Sequence, residues 1–235
     1  VIDPSRFAIA LDAHRAIVCF SNDCFATLAE ALDLDTSAPR ASGAEYGKRR
    51  KELVVYKASF GAPATGMLVE VLIASGVRQV IMLGMAGSLS PECRIGQVII
   101  PTWGIREEGT SHHYFPAETG VGVSEGLARD LRSWLAHANI DYQEGGVWTT
   151  DAPFRETRDK VIGYAKCGVL AVEMECTALM AIAMYRGIDF AAVLLVTDEL
   201  FPDTWHEDFR GITLRATRAA VCKALALGWG QGPRE

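Results

Sequence analysis

A single α/β domain spanning residues 1–235 is the expected architecture, and three observations point to it. Strand-like and helix-like segments alternate along the chain without repeats or long linkers. The length of 235 residues suits one large domain with a substantial core. Two apolar runs, Val169–Val172 and Ala191–Val196, each end in acidic residues: Glu173 and Glu175 after the first, Asp198 after the second. In open α/β sheets, ligands bind outside the carboxyl ends of strands, so both acids are expected at one sheet edge.

Taken in order, residues 1–14 are mixed and read as an arm packed on the body or on a neighbouring subunit. Arg15 to Phe20 predicts the first strand and Ala26 to Leu34 an amphipathic helix, joined by Ser21-Asn22-Asp23-Cys24-Phe25. Residues 35–51 carry Pro39, Gly43, Gly47 and the basic group Lys48-Arg49-Arg50-Lys51, read as a solvated, hairpin-like turn. Leu53 to Ala58 predicts a second strand, Gly61 to Gly66 a turn and Met67 to Ser75 a helix. Val77 to Leu83 is the most strand-like run, followed by a glycine turn at Gly84-Met85-Ala86-Gly87 and a short strand from Gly96 to Pro101. Residues 104–120, rich in His, Arg and aromatic side chains, read as a polar loop suited to a lid or a subunit contact. Ser124 to Asn139 is a helix with Ser124 as N-cap and Leu127, Leu131, Trp134 and Leu135 at helical spacing. Val147 to Asp151 ends a strand. The run from Val169 passes into an Ala-rich helix after Glu175, and Ala191 to Val196 is another strand. A polar loop from Glu199 to Asp208 precedes a last helix from Gly211 to Leu227.

Composition excludes some classes of function. The net charge of −6 argues against a nucleic-acid partner, which requires a basic face. No apolar run approaches the ~20 residues of a membrane-spanning helix, so no membrane partner is expected. Val1-Ile2-Asp3-Pro4 lacks the basic and then apolar pattern of a secretory leader. Cys19, Cys24, Cys93, Cys167, Cys176 and Cys222 form no Cys-x-x-Cys pair and read as buried free thiols of a cytoplasmic protein. A zinc site would need a closer cluster of Cys and His, so no metal is expected.

Four segments carry a resemblance. Gly61-Ala62-Pro63-Ala64-Thr65-Gly66, Gly84-Met85-Ala86-Gly87-Ser88, Val172-Glu173-Met174-Glu175 and Val196-Thr197-Asp198 occur in that order. Together, over about Arg15 to Leu225, they resemble the nucleoside phosphorylase family of uridine phosphorylases, hexameric purine nucleoside phosphorylases and methylthioadenosine nucleosidases. The resemblance implies a central mixed, partly barrel-like sheet flanked by helices. It implies a homo-oligomer, a dimer unit often built into a hexamer, acting on a small-molecule nucleoside. No metal or organic cofactor is implied; inorganic phosphate enters as a co-substrate.

Residue by residue, the resemblance assigns Glu175 to the ribose 2′ and 3′ hydroxyls, which suits a carboxylate's acceptor capacity. Met174 packs against the sugar, Glu173 supports the site or caps the helix, and Gly87 belongs to the substrate turn. Phe154 stacks on the base. Asp198 becomes the general acid that protonates the purine at N7, provided it is desolvated or hydrogen-bonded so as to hold a proton. Arg210 resembles the arginine that closes on this aspartate.

The phosphate site departs from the pattern. The family's Gly-Asp-Pro-x-Arg turn corresponds to Ser21–Phe25, with Phe25 at the arginine position. Met82 stands at a second arginine position and Met85 replaces a serine or threonine. Arg40, Arg49, Arg50, Arg106 and His112 are the available substitutes, and Asp23 a water-activating base two residues out of register. Three functions follow. They are phosphorolysis of a purine-type nucleoside to base and ribose 1-phosphate, hydrolysis of a nucleoside or nucleotide, and non-catalytic nucleoside binding.

Overall fold

The computed structural model describes residues 2–11, 13–35, 45–49 and 53–230, with 45–49 described by backbone alone. Among the described residues, ten strands form one mixed sheet: β1 Arg15–Cys19, β2 Glu45–Arg49, β3 Leu53–Lys57, β4 Gln79–Ser88, β5 Val98–Glu107, β6 Val121–Gly122, β7 Tyr142–Thr150, β8 Val169–Glu173, β9 Asp189–Glu199 and β10 His206–Glu207. Among the same described residues, six α-helices flank it: α1 Asn22–Leu32, α2 Ala62–Ala74, α3 Glu125–His137, α4 Arg158–Lys166, α5 Cys176–Arg186 and α6 Ile212–Gly230.

The sheet runs β10-β9-β5-β7-β8-β4-β1-β3-β2, and β9 also pairs with β4. That extra pairing closes β4, β9, β5, β7 and β8 into a five-stranded barrel, from which β1, β3 and β2 extend. The expected partly barrel-like α/β domain is therefore present. Closure depends on two long parallel strands: β4 pairs with β9 from Gln79↔Asp189 to Ser88↔Glu199, with a register shift between Ala86 and Gly87. A bulge of this kind bends a strand and increases its twist, which a small barrel needs.

Apolar side chains fill both faces. On one, α2 and α5 cover Val18, Val80, Met82, Ala192 and Leu194. On the other, α1, α3 and α6 cover Ile17, Ile81, Leu83, Val193 and Leu195. Because both faces are covered, these strands read as continuous apolar runs rather than alternating ones.

Several boundaries differ from the sequence-based expectations. The helix expected from Ala26 begins at Asn22, because the Ser21 hydroxyl accepts from the Cys24 N–H at 3.0 Å and caps it. The turn expected at Gly61–Gly66 is the start of α2, with Pro63 in its first turn and Gly61 at φ 98° as N-cap. The glycine turn expected at Gly84–Gly87 is strand, the second half of β4. Residues 104–107 of the expected polar loop continue β5. Arg106 then ties down the segment beyond, donating to the carbonyls of Phe115, Pro116 and Thr119 and to the Ser111 hydroxyl. Five of the six cysteines are buried, and Cys167 is exposed.

Candidate active site

The junction of β8 and α5 is built by Glu173. Its Oε2 accepts from the backbone N–H groups of Glu175 and Cys176, at 2.7 and 2.8 Å, and so caps the orphan donors of α5. Its Oε1 accepts from the Thr149 hydroxyl at 2.5 Å, across the β7–β8 pairing in which Thr149 lies opposite Glu173. Glu173 therefore acts as a cap, one of the two expectations for it, and it also borders the cavity described next, which is where the other, support of the site, would place it. With the backbone held there, Met174 and Glu175 border a cavity of about 600 Å³. Glu175 Oε1 accepts from the Gly61 N–H at 2.5 Å, joining two segments 114 residues apart. Gly61 has a positive φ that favours glycine. Burial pushes both carboxyls above the usual glutamate range, and the Glu175 charge adds to the effect on Glu173.

Asp198 lies on β9, paired with Gly87 on β4. A Cβ on Gly87 would stand 2.3 Å from Leu200 Cδ1 and 2.9 Å from Asp198 Oδ2, so only glycine leaves room for the carboxylate. Asp198 Oδ1 accepts from the Thr197 hydroxyl at 2.8 Å, and Oδ2 from Trp205 Nε1 at 2.9 Å. Asp198 and Glu175 border the same cavity, with Met85, Met174 and Gly87. The two acids expected at one sheet edge are therefore brought together.

Arg210 is not at Asp198. It is exposed and lies in a groove with Glu207, Asp208 and Phe209. The cause is β10, which folds back antiparallel on β9 with Glu207 opposite Asp198. This return sets Trp205 beside the aspartate and carries Arg210 past it. Phe154 borders the cavity but is fully exposed, so its ring is not packed against the described residues.

The positions expected to hold phosphate are mostly turned away. Phe25 and Met82 are buried in the core, and Ser21 is engaged as the α1 cap. Only Met85 of the four borders the cavity. Phe20 and Phe60 line the wall instead, stacked with centroids 5.8 Å apart and rings 16° from parallel. Among the described residues, Arg158 is the cation bordering the cavity, and its guanidinium donates to the carbonyls of Leu200, Phe201 and Pro202 and to Asp203. Arg106 and His112 do not border it. Arg40, Arg50 and the Arg49 side chain lie outside the described residues.

Sequence reasoning missed Phe20, Phe60, Glu156 and Trp205. The one available signal was a tryptophan within the Glu199–Asp208 stretch that the sequence reading took for a polar loop. Glu156 borders the cavity, half-buried, and burial together with the Asp198 charge pushes its carboxyl up to about 7.

The model of the phosphorylase superfamily matches residues 14–226. The chain belongs to the phosphorylase superfamily. Among curated members, it is 30% identical over 162 residues to a DeoD-type purine nucleoside phosphorylase of Bacillus cereus, covering 68% of each chain. It matches the DeoD-type enzyme of Bacillus thuringiensis strain Al Hakam equally, at 30% over 162 residues and 68% of each. Among solved structures, the superfamily fold recurs in purine nucleoside phosphorylase from Toxoplasma gondii, with TM-score 0.78, 19% identity and coverage of 95% of this chain and 91% of that one. Uridine phosphorylase from Vibrio fischeri ES114 aligns with TM-score 0.77 and 21% identity over 98% and 95%. AMP nucleosidase from Bacteroides thetaiotaomicron aligns with TM-score 0.73 and 20% identity over 91% and 87%. Among the described residues, no helix is long and apolar enough to cross a membrane.

Proposed function

We propose that this chain cleaves the N-glycosidic bond of a purine-type nucleoside, with phosphate as the attacking species and ribose 1-phosphate as the product. The observation that carries the reading is the single cavity shared by Glu175 and Asp198. Glu175, held by Gly61, is the ribose grip; Met174 flanks the sugar; the Asp198 end receives the base. Cleavage builds positive charge at the anomeric carbon and negative charge on the departing base, so sugar and base must be held in line. The purine and phosphate parts of the proposal draw on the name of the 30%-identical relatives. A homo-oligomer, dimer or hexamer, in the cytoplasm belongs to the same proposal.

The test is base release from a nucleoside panel with and without phosphate. Phosphate-dependent release of purine with ribose 1-phosphate is expected; absence of release from every nucleoside would end the reading. Glu175→Ala should lower kcat/KM at least ~10-fold, since a charge-assisted hydrogen bond contributes roughly 1.5–3 kcal/mol.

Hydrolysis is the second reading, and a specific observation favours it. The Phe20–Phe60 stack makes part of the wall apolar, and the Arg158 guanidinium is already engaged by loop carbonyls. Equal release in phosphate-free buffer, with free ribose as product, would select it.

A further inference from the structure

The last torsion of an aspartate is soft, so the plane of its carboxyl is set by what surrounds it. Three neighbours surround Asp198 where it reaches the cavity. Thr197 Oγ1 donates to Oδ1 at 2.8 Å, Trp205 Nε1 donates to Oδ2 at 2.9 Å, and Gly87 closes a third side, where a Cβ would stand 2.9 Å from Oδ2. Thr197 and Gly87 belong to β9 and β4, so the barrel places them. Trp205 comes from outside those strands, and the chain on either side of it is anchored. Before it, Arg158 on α4 donates to the carbonyls of Leu200, Phe201 and Pro202. Arg94 lies over the Phe201 ring, 5.1 Å from its centroid, while its Nε donates to Glu199 at 2.8 Å. After it, His206 and Glu207 pair with Glu199 and Asp198, and the Asp208 N–H donates to the Thr197 carbonyl at 3.1 Å. The indole also leans on Phe209, with ring centroids 6.2 Å apart.

We propose that Trp205 is a positioning residue for glycosidic cleavage: its N–H fixes the plane of the Asp198 carboxyl so that the carboxyl meets the base in the cavity. This rests on the glycosidic-bond reading above and adds the residue that sets its base-side carboxyl. An indole has one donor and neither a tautomer nor an amide flip to choose, so an anchored tryptophan delivers its N–H to one point. A guanidinium in its place would fork over both oxygens. The indole occupies Oδ2 from one direction, Thr197 occupies Oδ1, and each oxygen keeps acceptor capacity for a ligand. Trp205 borders the same cavity, so it acts from within the site and touches the reaction through Asp198.

The test compares the full chain with Trp205→Phe, which keeps a ring against Phe209 and lacks the N–H. Trp205 is 63% exposed, so the substitution leaves the core intact. Two substrates are assayed in phosphate buffer. One is a purine riboside, whose departing base meets Asp198; the other is 4-nitrophenyl riboside, whose leaving group departs as a stable anion without that carboxyl. Trp205→Phe should lower kcat for the purine riboside by about 10- to 100-fold, the scale of losing alignment at a reacting group. KM for the purine riboside and cleavage of nitrophenyl riboside should stay within a few-fold of the parent. An unchanged purine kcat would overturn the assignment. So would an equal loss on both substrates, or an effect confined to KM, since either marks a merely structural or binding role. Arg210→Gln is the comparison: loss of purine turnover there, with Trp205→Phe unaffected, would hand the role to Arg210 and overturn the assignment too. If the unsubstituted protein cleaves neither riboside, the glycosidic reading itself falls and takes this assignment with it.

Discussion

Gly87 shows how a missing side chain can place a functional one. The nearest atoms to a methyl group added there would be Leu200 Cδ1 at 2.3 Å and Asp198 Oδ2 at 2.9 Å. Gly87→Ala should therefore push the Asp198 carboxylate away from Thr197 and Trp205 and cost about 1–3 kcal/mol of overpacking. Gly84→Ala is the matched control: its methyl would meet Leu194 at 2.7 Å and Met82 at 2.9 Å, in the core. Both variants should unfold at lower denaturant, but only Gly87→Ala should lose turnover per folded molecule. At this scale the sequence was partly legible. Glu175, Met174 and Asp198 sit in recognisable segments, so their shared cavity could be anticipated. Trp205 and Glu156 could not, because each enters the site by a loop whose path depends on what it packs against.

At the scale of elements, capping decides what Ser21 and Glu173 do. Ser21 stands where the family binds phosphate, yet its hydroxyl accepts from Cys24 N–H at the start of α1. Ser21→Ala should lower stability by about 1 kcal/mol, seen in denaturant unfolding, and leave the phosphate dependence of base release unchanged. A shift in the phosphate KM would restore Ser21 to the anion site. Glu173 does for α5 what Ser21 does for α1, but from inside the barrel wall and with a Thr149 hydrogen bond behind it. Helix α4 escaped the sequence reading because its apolar periodicity is weak: Val161 is its one buried residue. The Gly84–Gly87 segment was taken for a turn because glycine commonly marks one; here Gly84 and Gly87 sit close against Leu194 and Asp198 of β9, and the extra residue of the register shift, Thr197, belongs to β9.

For the whole molecule, the ends of β8 and β9 and the segment after β7 gather carboxyls around one partly desolvated cavity, and this sets a pH dependence. Glu156, Glu173 and Glu175 are all pushed above the ordinary glutamate value of 4.5, chiefly by burial. The folded state then holds more protons than the unfolded state above that value, so stability is fully present below 4.5 and declines as pH rises toward and through about 7. Denaturant unfolding should give lower stability at about pH 8 than at about pH 5.5, with the decline reduced in Glu156→Gln. A flat profile over that range would contradict the burial of these groups. By itself, the amino-acid order determined the α/β class, the membership of a superfamily and the two acids at one sheet edge, because apolar runs and short motifs are local properties. The tertiary structure alone decided that Trp205 rather than Arg210 meets Asp198, that Phe25 and Met82 face the core while Phe20 and Phe60 face the cavity, and that Glu156 has no partner among the described residues. Those outcomes depend on strand return, helix register and loop path, which are set by packing between segments far apart in the chain.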